Sequence, residues 1–462
     1  MRDRSPSFKL FLAGLVGVVL MIPLLMVYGL VSDRQEQART AEDTITAGSG
    51  GAQVVSGPIV VVPYVEERQV SETVDGTVVT RNQTVRRELF LSPSAHEIET
   101  ALEPERKKKA IYETVVYLAK MNGSARFELP GDMARLGIEP SRLLLGEAQL
   151  RFGTSDARGL RAAANVRVGG RQIDLEPGEG TRASGGSGFH GGIDWTGAQP
   201  FTVEYAYTIR GSRTLTLVPR GVQTDWTVTS PWQHPGFGGS FLPDESNISR
   251  EGFSAKWSIG NLALGQAMAM REDLGPPALV EGPANRAYGV EENVDAGTSK
   301  AATISLVEPA DIYAQVDRSV KYGFLFIGFT FVAFLLFDVV GGARVAAAEY
   351  LLTGTGLVLF FVLLLAFAEW TGFAIAYVIA SSAIIGLLTT YSAAVLGGWK
   401  RACFIGGMLT GLYAVLYVLL SLEAASLIVG SLLMFAALAG VMFATRNIDW
   451  SEVRSGDETV DA

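Results

Sequence analysis

The sequence predicts a membrane protein of mixed α and β structure, in which about six transmembrane helices carry one large all-β, sandwich-like domain. Three features predict this: an apolar segment near the start (Phe11–Leu30), a long polar stretch with strand-like alternation, and an almost continuously apolar block (Tyr322–Ala444). A run of roughly 18 or more apolar residues can cross about 30 Å of hydrocarbon as a helix. The β domain is therefore inserted after a first helix, and a five-helix bundle follows it.

Bulk composition agrees with a membrane location. The chain has 462 residues, of which 48% are hydrophobic, and its mean hydropathy is +0.26, values that are high for a soluble protein. A net charge of −9 and the lack of a basic stripe argue against nucleic acid as a partner. The single cysteine, Cys403, lies in an apolar segment, so the β domain can form no disulfide of its own.

The first apolar segment is predicted to be an uncleaved signal anchor. Arg2 and Arg4 precede it, which keeps the N-terminus in the cytoplasm and exports the chain that follows. No small-residue cleavage site follows the apolar core cleanly, which argues against a removed signal peptide. Residues 1–31 are therefore predicted to form a cytoplasmic stub with its anchor helix, and residues 32–51 a polar, Gly-rich linker.

The C-terminal apolar block divides into helices at breaks rich in glycine or charge. Basic residues occur near Arg344, Lys400 and Arg446, whereas the alternate breaks carry acids and no base. Because positive residues stay in the cytoplasm, this alternation predicts a multi-pass protein with both termini inside and residues 32–321 in the periplasm. Residues 445–462 then form a cytoplasmic tail. The helices predicted within the 322–444 bundle are Tyr322–Val340, Tyr350–Ala368, Phe373–Leu396, Ala402–Leu420 and Ala425–Ala444.

Hairpin signals recur in the region between the first two spans. Apolar residues alternate strictly over Phe201–Ile209, which indicates a half-buried strand, and the alternation resumes after Gly211, which predicts a hairpin there. The Asp-Gly pair at 75–76 and the Gly-Gly pair at 169–170 predict two further hairpins. Such pairs adopt the positive φ angles that tight hairpin turns require.

Two further segments of this region carry specific expectations. Pro58–Val65 is predicted to be a strand whose prolines lie at or near a sheet edge, because proline cannot donate to a ladder. Ser184–Gly192, rich in glycine and serine, is predicted to be a flexible loop. No long amphipathic helix competes with these strands, so the region is expected to fold as a β sandwich.

Four stretches of the chain carry a family resemblance. They are TSPWQHPGFGGSFLP (Thr229–Pro243), GIEPSRLLLGEAQLRFGTSDARGL, VDRSVKYGFLFIGFTFVAFLLFD (Val316–Asp338) and EYLLTGTGLVLFFVLLLAFAEWTGFAIAYVIA (Glu349–Ala380). In these motifs and in their order, over nearly the whole chain, the sequence resembles the CreD family of bacterial inner-membrane proteins. The resemblance implies a role in cell envelope integrity and the envelope stress response, and it implies no known chemical reaction.

One aromatic segment is the main candidate for a structural or interaction motif. Aromatic residues that surround a Gly-Gly pair favour a structural corner at one end of the sandwich, because glycine permits a tight turn. The alternative is a platform that binds a sugar or a peptide on aromatic faces. The candidate residues are Trp232, His234, Pro235, Phe237, Gly239, Phe241 and Pro243.

Sequence patterns that indicate catalysis or metal binding are lacking. The three histidines, His96, His190 and His234, are scattered and have no HExxH spacing or cysteine partner. A G-x-S-x-G nucleophile elbow is also missing. Asp156 and Arg158 are most simply a local ion pair in a turn. We therefore expect no enzymatic activity, no cofactor and no metal ion.

Ionisable residues of the membrane block lie at predicted helix ends. They are Asp338, Glu349 and Glu369. A charge inside the hydrocarbon would mark a transport path, so their position argues against an ion-coupled transporter. Gly407 and Gly411 recur at helical spacing, which predicts close packing inside the bundle, with oligomerisation as the alternative.

These observations favour an inner-membrane protein whose periplasmic β domain senses, binds or braces an envelope component. The expected partners are the lipid bilayer and an envelope glycan, lipid or protein. One alternative is a subunit of a lipid or glycan transport or flipping system. The other is a glycan-modifying enzyme, which would need two carboxylates facing one cleft at the ~5–9.5 Å separations of glycosidases.

Overall fold

The computed structural model of the chain divides into two compact units. The β unit is Thr40–Pro309, and the membrane unit comprises Met1–Arg39 and Ala310–Ala462. The structure describes residues 6–74, 77–109, 112–131, 133–196, 199–277, 298–306, 312–339 and 346–421, and isolated positions between 428 and 446.

The helices agree with a membrane protein that carries a β domain. Five segments of the described residues are long and apolar enough to cross a membrane: Lys9–Ala47, Ile312–Leu335, Ala347–Thr371, Phe373–Val395 and Trp399–Val418. The predicted helix Ala425–Ala444 lies largely outside the described residues, so the count of six spans stays a prediction. The helices are α1 (Pro6–Ala47), α2 (Asn261–Leu264), α3 (Ile312–Lys321), α4 (Gly323–Val339), α5 (Ala347–Thr371), α6 (Phe373–Val395) and α7 (Trp399–Ser421).

Helix α1 corrects the predicted linker. The expectation of a flexible linker over residues 32–51 was wrong, because α1 continues to Ala47. Its polar part is rich in Gln, Glu, Arg and Ala, which favour helix, and extending an existing helix avoids the cost of nucleation. Within the β unit, the carboxylate of Glu42 accepts a 2.6 Å hydrogen bond from Arg213.

The membrane unit packs around apolar and aromatic side chains from α1 and α3–α7. Helices approach closely at Gly354, where an added Cβ would collide with Leu20 of α1 and meet Phe331 of α4 at 3.0 Å. Gly407 and Gly411 play no such part, since nothing in the described structure lies within 4 Å of a Cβ built at either. The expected close packing at this pair was therefore wrong for the described residues, and spacing alone did not reveal which glycines pack.

The β unit contains two large mixed sheets and one small one. Sheet one has the order β13-β19-β11-β1-β5-β9-β8, with β2 pairing β1 and β16 pairing β2. Sheet two has the order β14-β15-β12-β3-β4-β10-β6-β7, and β17 pairs β18. The strands are β1 (Gln53–Val74), β2 (Thr77–Leu91), β3 (Ala95–Lys109), β4 (Tyr112–Phe127), β5 (Ala148–Thr154), β6 (Leu160–Val168), β7 (Arg171–Gln172), β8 (Glu176–Pro177), β9 (Gly188–Ile193), β10 (Phe201–Ser212), β11 (Thr214–Val218), β12 (Gln223–Ser230), β13 (Pro235–Gly239), β14 (Glu245–Ile248), β15 (Phe253–Gly260), β16 (Ala269–Met270), β17 (Gly275–Pro277), β18 (Thr298–Ser299) and β19 (Ala302–Leu306).

The two large sheets share one core, as a sandwich requires. Buried side chains from both sheets form a single cluster, which includes Leu150 and Phe152 of β5 in sheet one and Val203 and Trp226 of β10 and β12 in sheet two. Along β10 the buried and exposed residues alternate. The inward positions therefore build the core, and the outward positions form an open polar face.

Two of the predicted hairpins are confirmed. β1 and β2 pair antiparallel as far as Val74 opposite Thr77, and the intervening pair 75–76 lies outside the described residues. β6 and β7 pair with Val168 opposite Arg171. Both connecting residues of this second hairpin have positive φ, as a two-residue hairpin turn requires.

The hairpin predicted after Phe201–Ile209 was wrong. β10 pairs with β4 and β6 in sheet two, whereas β11 pairs with β1 and β19 in sheet one. The chain crosses between the sheets at Arg213, whose φ is 59°. Gly211 is needed there because the ring of Tyr117 occupies the place of its Cβ. Alternation on both sides of a glycine therefore does not tell a hairpin from a crossover.

Pro58–Val65 lies at the centre of sheet one, so the predicted edge position was wrong. β1 has β2, β5 and β11 as neighbours. Pro58 is tolerated because the β1–β5 register shifts between Ser56 and Ile59, and a bulge there needs no ladder N–H. Proline can therefore occupy a central strand wherever the ladder is interrupted.

The flexible loop predicted at Ser184–Gly192 was also wrong in its second half. Gly188–Ile193 forms β9, which pairs with β5 and β8. Its glycines permit close approach: a Cβ at Gly188 would overlap the carbonyl oxygen of Phe152, and one at Gly191 would lie 2.7 Å from that of Asp174. These glycines therefore make room for a tightly packed strand.

Candidate functional site

The Trp232–Pro243 segment carries the chain from sheet two to sheet one. Phe237, on β13, packs its ring edge-on against Phe253 and Trp257 of sheet two, at 5.8 and 5.7 Å between centroids. The indole of half-buried Trp232 donates to the carbonyl oxygen of His234 at 3.0 Å. These contacts fit a structural corner. Of the other candidates, Pro235, Phe241 and Pro243 are half-buried, and His234 and Gly239 are exposed.

The membrane-edge acids occupy helix ends. Glu349 lies in the first turn of α5, and its carboxylate accepts a 2.7 Å hydrogen bond from the backbone N–H of Ala346. Near the other end of α5, Glu369 accepts from the hydroxyl of Tyr313 at 3.3 Å and lies 3.9 Å from Arg34. Asp338 lies in the last turn of α4. All three positions suit local capping and pairing of helix ends.

The three histidines remain apart in the fold. Burial lowers the pKa of His96 to about 3, so this imidazole is neutral, and its Nε2 pairs with the hydroxyl of Tyr205 at 2.9 Å. His190 lies 3.8 Å from Glu179 on sheet one, and His234 is exposed in the aromatic corner. Among the residues that the structure describes, no group of three or more His, Cys, Asp or Glu could hold a metal ion.

A polar groove lies on the outward face of sheet two. Its volume is about 430 Å³, within the range of small-molecule sites. One rung of the sheet aligns Glu97, Ser124, Glu204 and Arg167 across β3, β4, β10 and β6. The next rung aligns Glu99, Asn122, Ala206 and Asn165.

The groove offers several kinds of hydrogen-bonding group in one place. Carboxylates accept, guanidinium donates, and side-chain amides do both. Glu97 and Glu204 stand two strands apart, which is about 10 Å at the usual spacing of neighbouring strands. Such a surface suits a ligand rich in hydroxyl and amide groups. Sequence reasoning missed it because its residues come from four strands whose order in the sheet is not written in the pattern.

A buried ion pair lies elsewhere in the β unit. The guanidinium of Arg220 is 0% exposed and pairs with the carboxylate of Asp273, which is 6% exposed. Burial lowers the pKa of Arg220, and Asp273 opposes that shift. Asp273 also accepts backbone hydrogen bonds from Arg182 at 2.6 Å and Leu274 at 2.8 Å. No sequence signal joins the two residues, because 53 positions separate them.

The Asp156–Arg158 pair is a surface feature, as predicted. Asp156 caps the 3-10 turn Ala157–Gly159 and accepts from the Arg158 backbone at 2.9 Å and from its guanidinium at 2.7 Å. Hydrogen bonding from Arg158 lowers the pKa of Asp156. Because the Arg158 side chain is 75% exposed, solvent screens this pair strongly.

Comparisons with known proteins identify the family. A family model described as Inner membrane protein CreD matches residues 5–451. A relative from Escherichia coli (strain K12), named Inner membrane protein CreD, is 32% identical over 457 residues, covering 97% of this chain and 94% of that protein. Among solved structures, an M1 zinc metallopeptidase mutant from Deinococcus radiodurans covers 46% of this chain and 42% of its own at 6% identity. Its TM-score of 0.19 is too low to carry any argument. The family match and the Escherichia coli relative show that this chain belongs to the CreD family of inner membrane proteins.

Proposed function

We propose that this inner membrane protein supports cell envelope integrity by binding an envelope component through its β unit. The polar groove on sheet two is the observation that carries this proposal. Its carboxylate, amide and guanidinium groups match the hydroxyl and amide groups of an envelope glycan. The membrane unit then serves as the anchor, since its described acids lie at helix ends and are used in capping and pairing.

The proposal requires the β unit to face the periplasm, with both termini in the cytoplasm. Basic residues near the N-terminus and in alternate C-terminal breaks support this orientation. We expect a reporter fused after Gln53 to be active as a periplasmic enzyme, and one fused after Val453 to be active only as a cytoplasmic one. A cytoplasmic signal at the first position, or a periplasmic signal at the second, would contradict the topology.

The groove can be tested directly in cells. Replacing Glu97 and Glu204 together with alanine should raise influx of an envelope-impermeant dye to the level of cells that lack the protein. The matched control replaces Glu245 and Glu251, two exposed acids outside the groove lining, and should leave influx at the wild-type level. Protein level and membrane insertion are measured alongside. Wild-type influx in the groove variant at normal protein level would remove the groove from the proposal.

A glycan-modifying enzyme is the second candidate, because Glu97, Glu99 and Glu204 face one groove. Glutamine keeps the shape of glutamate but cannot act as base, acid or nucleophile. If the groove only binds, Glu204→Gln should retain most of the envelope function. Complete loss from this substitution alone, at normal protein level, would favour the enzyme. We propose binding without chemistry because no residue pattern identifies a nucleophile and its base.

A further inference from the structure

An arginine-lined depression of about 580 Å³ lies on sheet one. Arg151 lies on β5 between the core residues Leu150 and Phe152, so it projects from the opposite, outward face. Separate parts of the chain supply the other four arginines: β2, the 3-10 turn Arg182–Ser184 and the segment after β16. The five arginines that line the depression are Arg86, Arg87, Arg151, Arg182 and Arg271.

The carboxylates that line this depression do not balance its guanidinium groups. They are Glu88, Glu272 and Asp273, three against five. Asp273 is already paired with Arg220, whose side chain is fully buried. Glu88 pairs with Arg151 at 2.8 Å. The lining therefore keeps excess positive charge, and Arg220 adds a further buried charge beside it.

Two of these arginines hold guanidinium groups that a ligand can use. Arg182 forms no ion pair with any carboxylate of the described residues, and only its backbone N–H is engaged, by Asp273. Arg87 lies 3.9 Å from Glu66, which also lies 3.5 Å from Arg271. These are half-exposed contacts of the kind worth at most about 1 kcal/mol. An incoming anion can replace them at little cost.

Acids at the rim take part in the remaining ion pairs. Glu147 pairs with Arg86 at 2.6 Å, and both side chains are more than half exposed. Glu179 lies 3.5 Å from Arg151, which is only 14% exposed. Arg151 is therefore the most constrained of the five guanidinium groups, and it belongs more to the wall than to the open part of the depression.

One wall of the depression has no side chains. Gly185 and Gly186 have φ angles of +73° and +79°, and nothing lies within 4 Å of a Cβ built at either. The adjacent Arg182 is fixed by its backbone bond to Asp273, which Arg220 holds in turn. A rigid backbone therefore presents the guanidinium beside open space, which lowers the ordering cost of binding an anion.

We propose that this depression binds the phosphate group of an anionic envelope molecule, from either a sugar phosphate or a lipid headgroup. Guanidinium groups bind phosphate through two parallel charge-assisted hydrogen bonds, so several together select an oxyanion over a neutral sugar. The site goes beyond the function proposed above, because it lies on the other sheet from the polar groove. Either site can fail its test without deciding the other.

The test uses the full-length protein in dodecyl maltoside, which contains no phosphate. Calorimetry at constant ionic strength measures binding of inorganic phosphate, glucose 1-phosphate and dihexanoyl phosphatidic acid, with glucose as the neutral control. We expect all three phosphates to bind and glucose not to bind. A clear preference for glucose 1-phosphate would identify a glycan source, and one for the phosphatidic acid a lipid headgroup.

Variants then decide whether the depression is the site. Combining Arg87→Gln with Arg182→Gln should weaken phosphate binding at least tenfold, and Arg182→Lys, which keeps the charge without the planar fork, should weaken it less. Both arginines are exposed, so folding should be unaffected, which a melting curve checks. The matched control, Arg126→Gln with Arg161→Gln, removes two exposed arginines of sheet two and should bind as wild type. Absence of saturable binding to wild type up to roughly 10 mM, or equal binding by the Arg87/Arg182 variant, would overturn the proposal.

Discussion

Replacing Asp273 with asparagine is expected to destabilise the β unit by about 3–5 kcal/mol, the usual cost of removing one partner from a buried ion pair. The side chain of Arg220 is 0% exposed, so its charge would be left buried without a counterion. The backbone hydrogen bonds that Asp273 accepts from Arg182 and Leu274 would weaken as well. Urea titration followed by pulse proteolysis of the purified full-length protein measures the change.

The exposed pair Asp156–Arg158 supplies the matched control. Asp156→Asn should cost at most about 1 kcal/mol, because solvent screens this pair. Replacing both members of the buried pair, Arg220→Met with Asp273→Leu, should recover much of the stability that Asp273→Asn loses, since the unpaired charge is removed. Equal, small losses from Asp273→Asn and Asp156→Asn would show that the Arg220 charge is not desolvated as the structure indicates.

Replacing Trp257 with alanine is expected to destabilise the β unit by about 3–5 kcal/mol, the range measured when large buried aromatics are truncated. Trp257 and Trp226 are opposite each other on β15 and β12, both 0% exposed, and their rings stack at 4.6 Å between centroids. The indole of Trp257 also donates to the carbonyl oxygen of Phe241 at 3.3 Å. We expect the melting temperature of the β unit to fall by on the order of 10 °C.

Trp232→Ala is the comparison that separates core from corner. Sequence reasoning applied to a buried Trp232 predicts a loss of about 3–5 kcal/mol. The structure lowers that expectation to about 1 kcal/mol, because Trp232 is only half-buried and one face lies under Arg106 at 5.7 Å. A loss as large as that of Trp257→Ala would show that the corner is as important to folding as the core. An unchanged melting temperature with lost envelope function would favour the binding platform.

Local signals predicted the elements that depend on neighbouring residues. Hydropathy placed the spans, because crossing hydrocarbon requires a long apolar helix wherever it packs. The hairpins at 75–76 and 169–170 followed from turn residues and flanking alternation, which both act over a few positions. The ion pair of Asp156 and Arg158 was equally predictable, since two positions separate its members.

Interpretations failed where one local pattern has two tertiary outcomes. Gly211 looked like a hairpin turn but lies at a crossover, where Tyr117 leaves no room for a Cβ. The prolines of β1 suggested an edge, yet a bulge admits Pro58 at the centre of the sheet. The glycines at 188–192 suggested flexibility, yet they allow close strand packing. In each case the deciding atom belongs to a residue distant in sequence.

By itself the sequence determined that this is a membrane protein with one inserted β domain, because hydropathy and alternation are properties of contiguous residues. Only the tertiary structure decided which outward residues share a surface. Alternation says that Glu97 and Glu204 face away from the core, but strand order brings them into one groove. Likewise, Arg220 and Asp273 became partners only when two connections between strands met in the fold. Pairing between distant strands depends on which core packs best, and that free energy is a property of the whole domain.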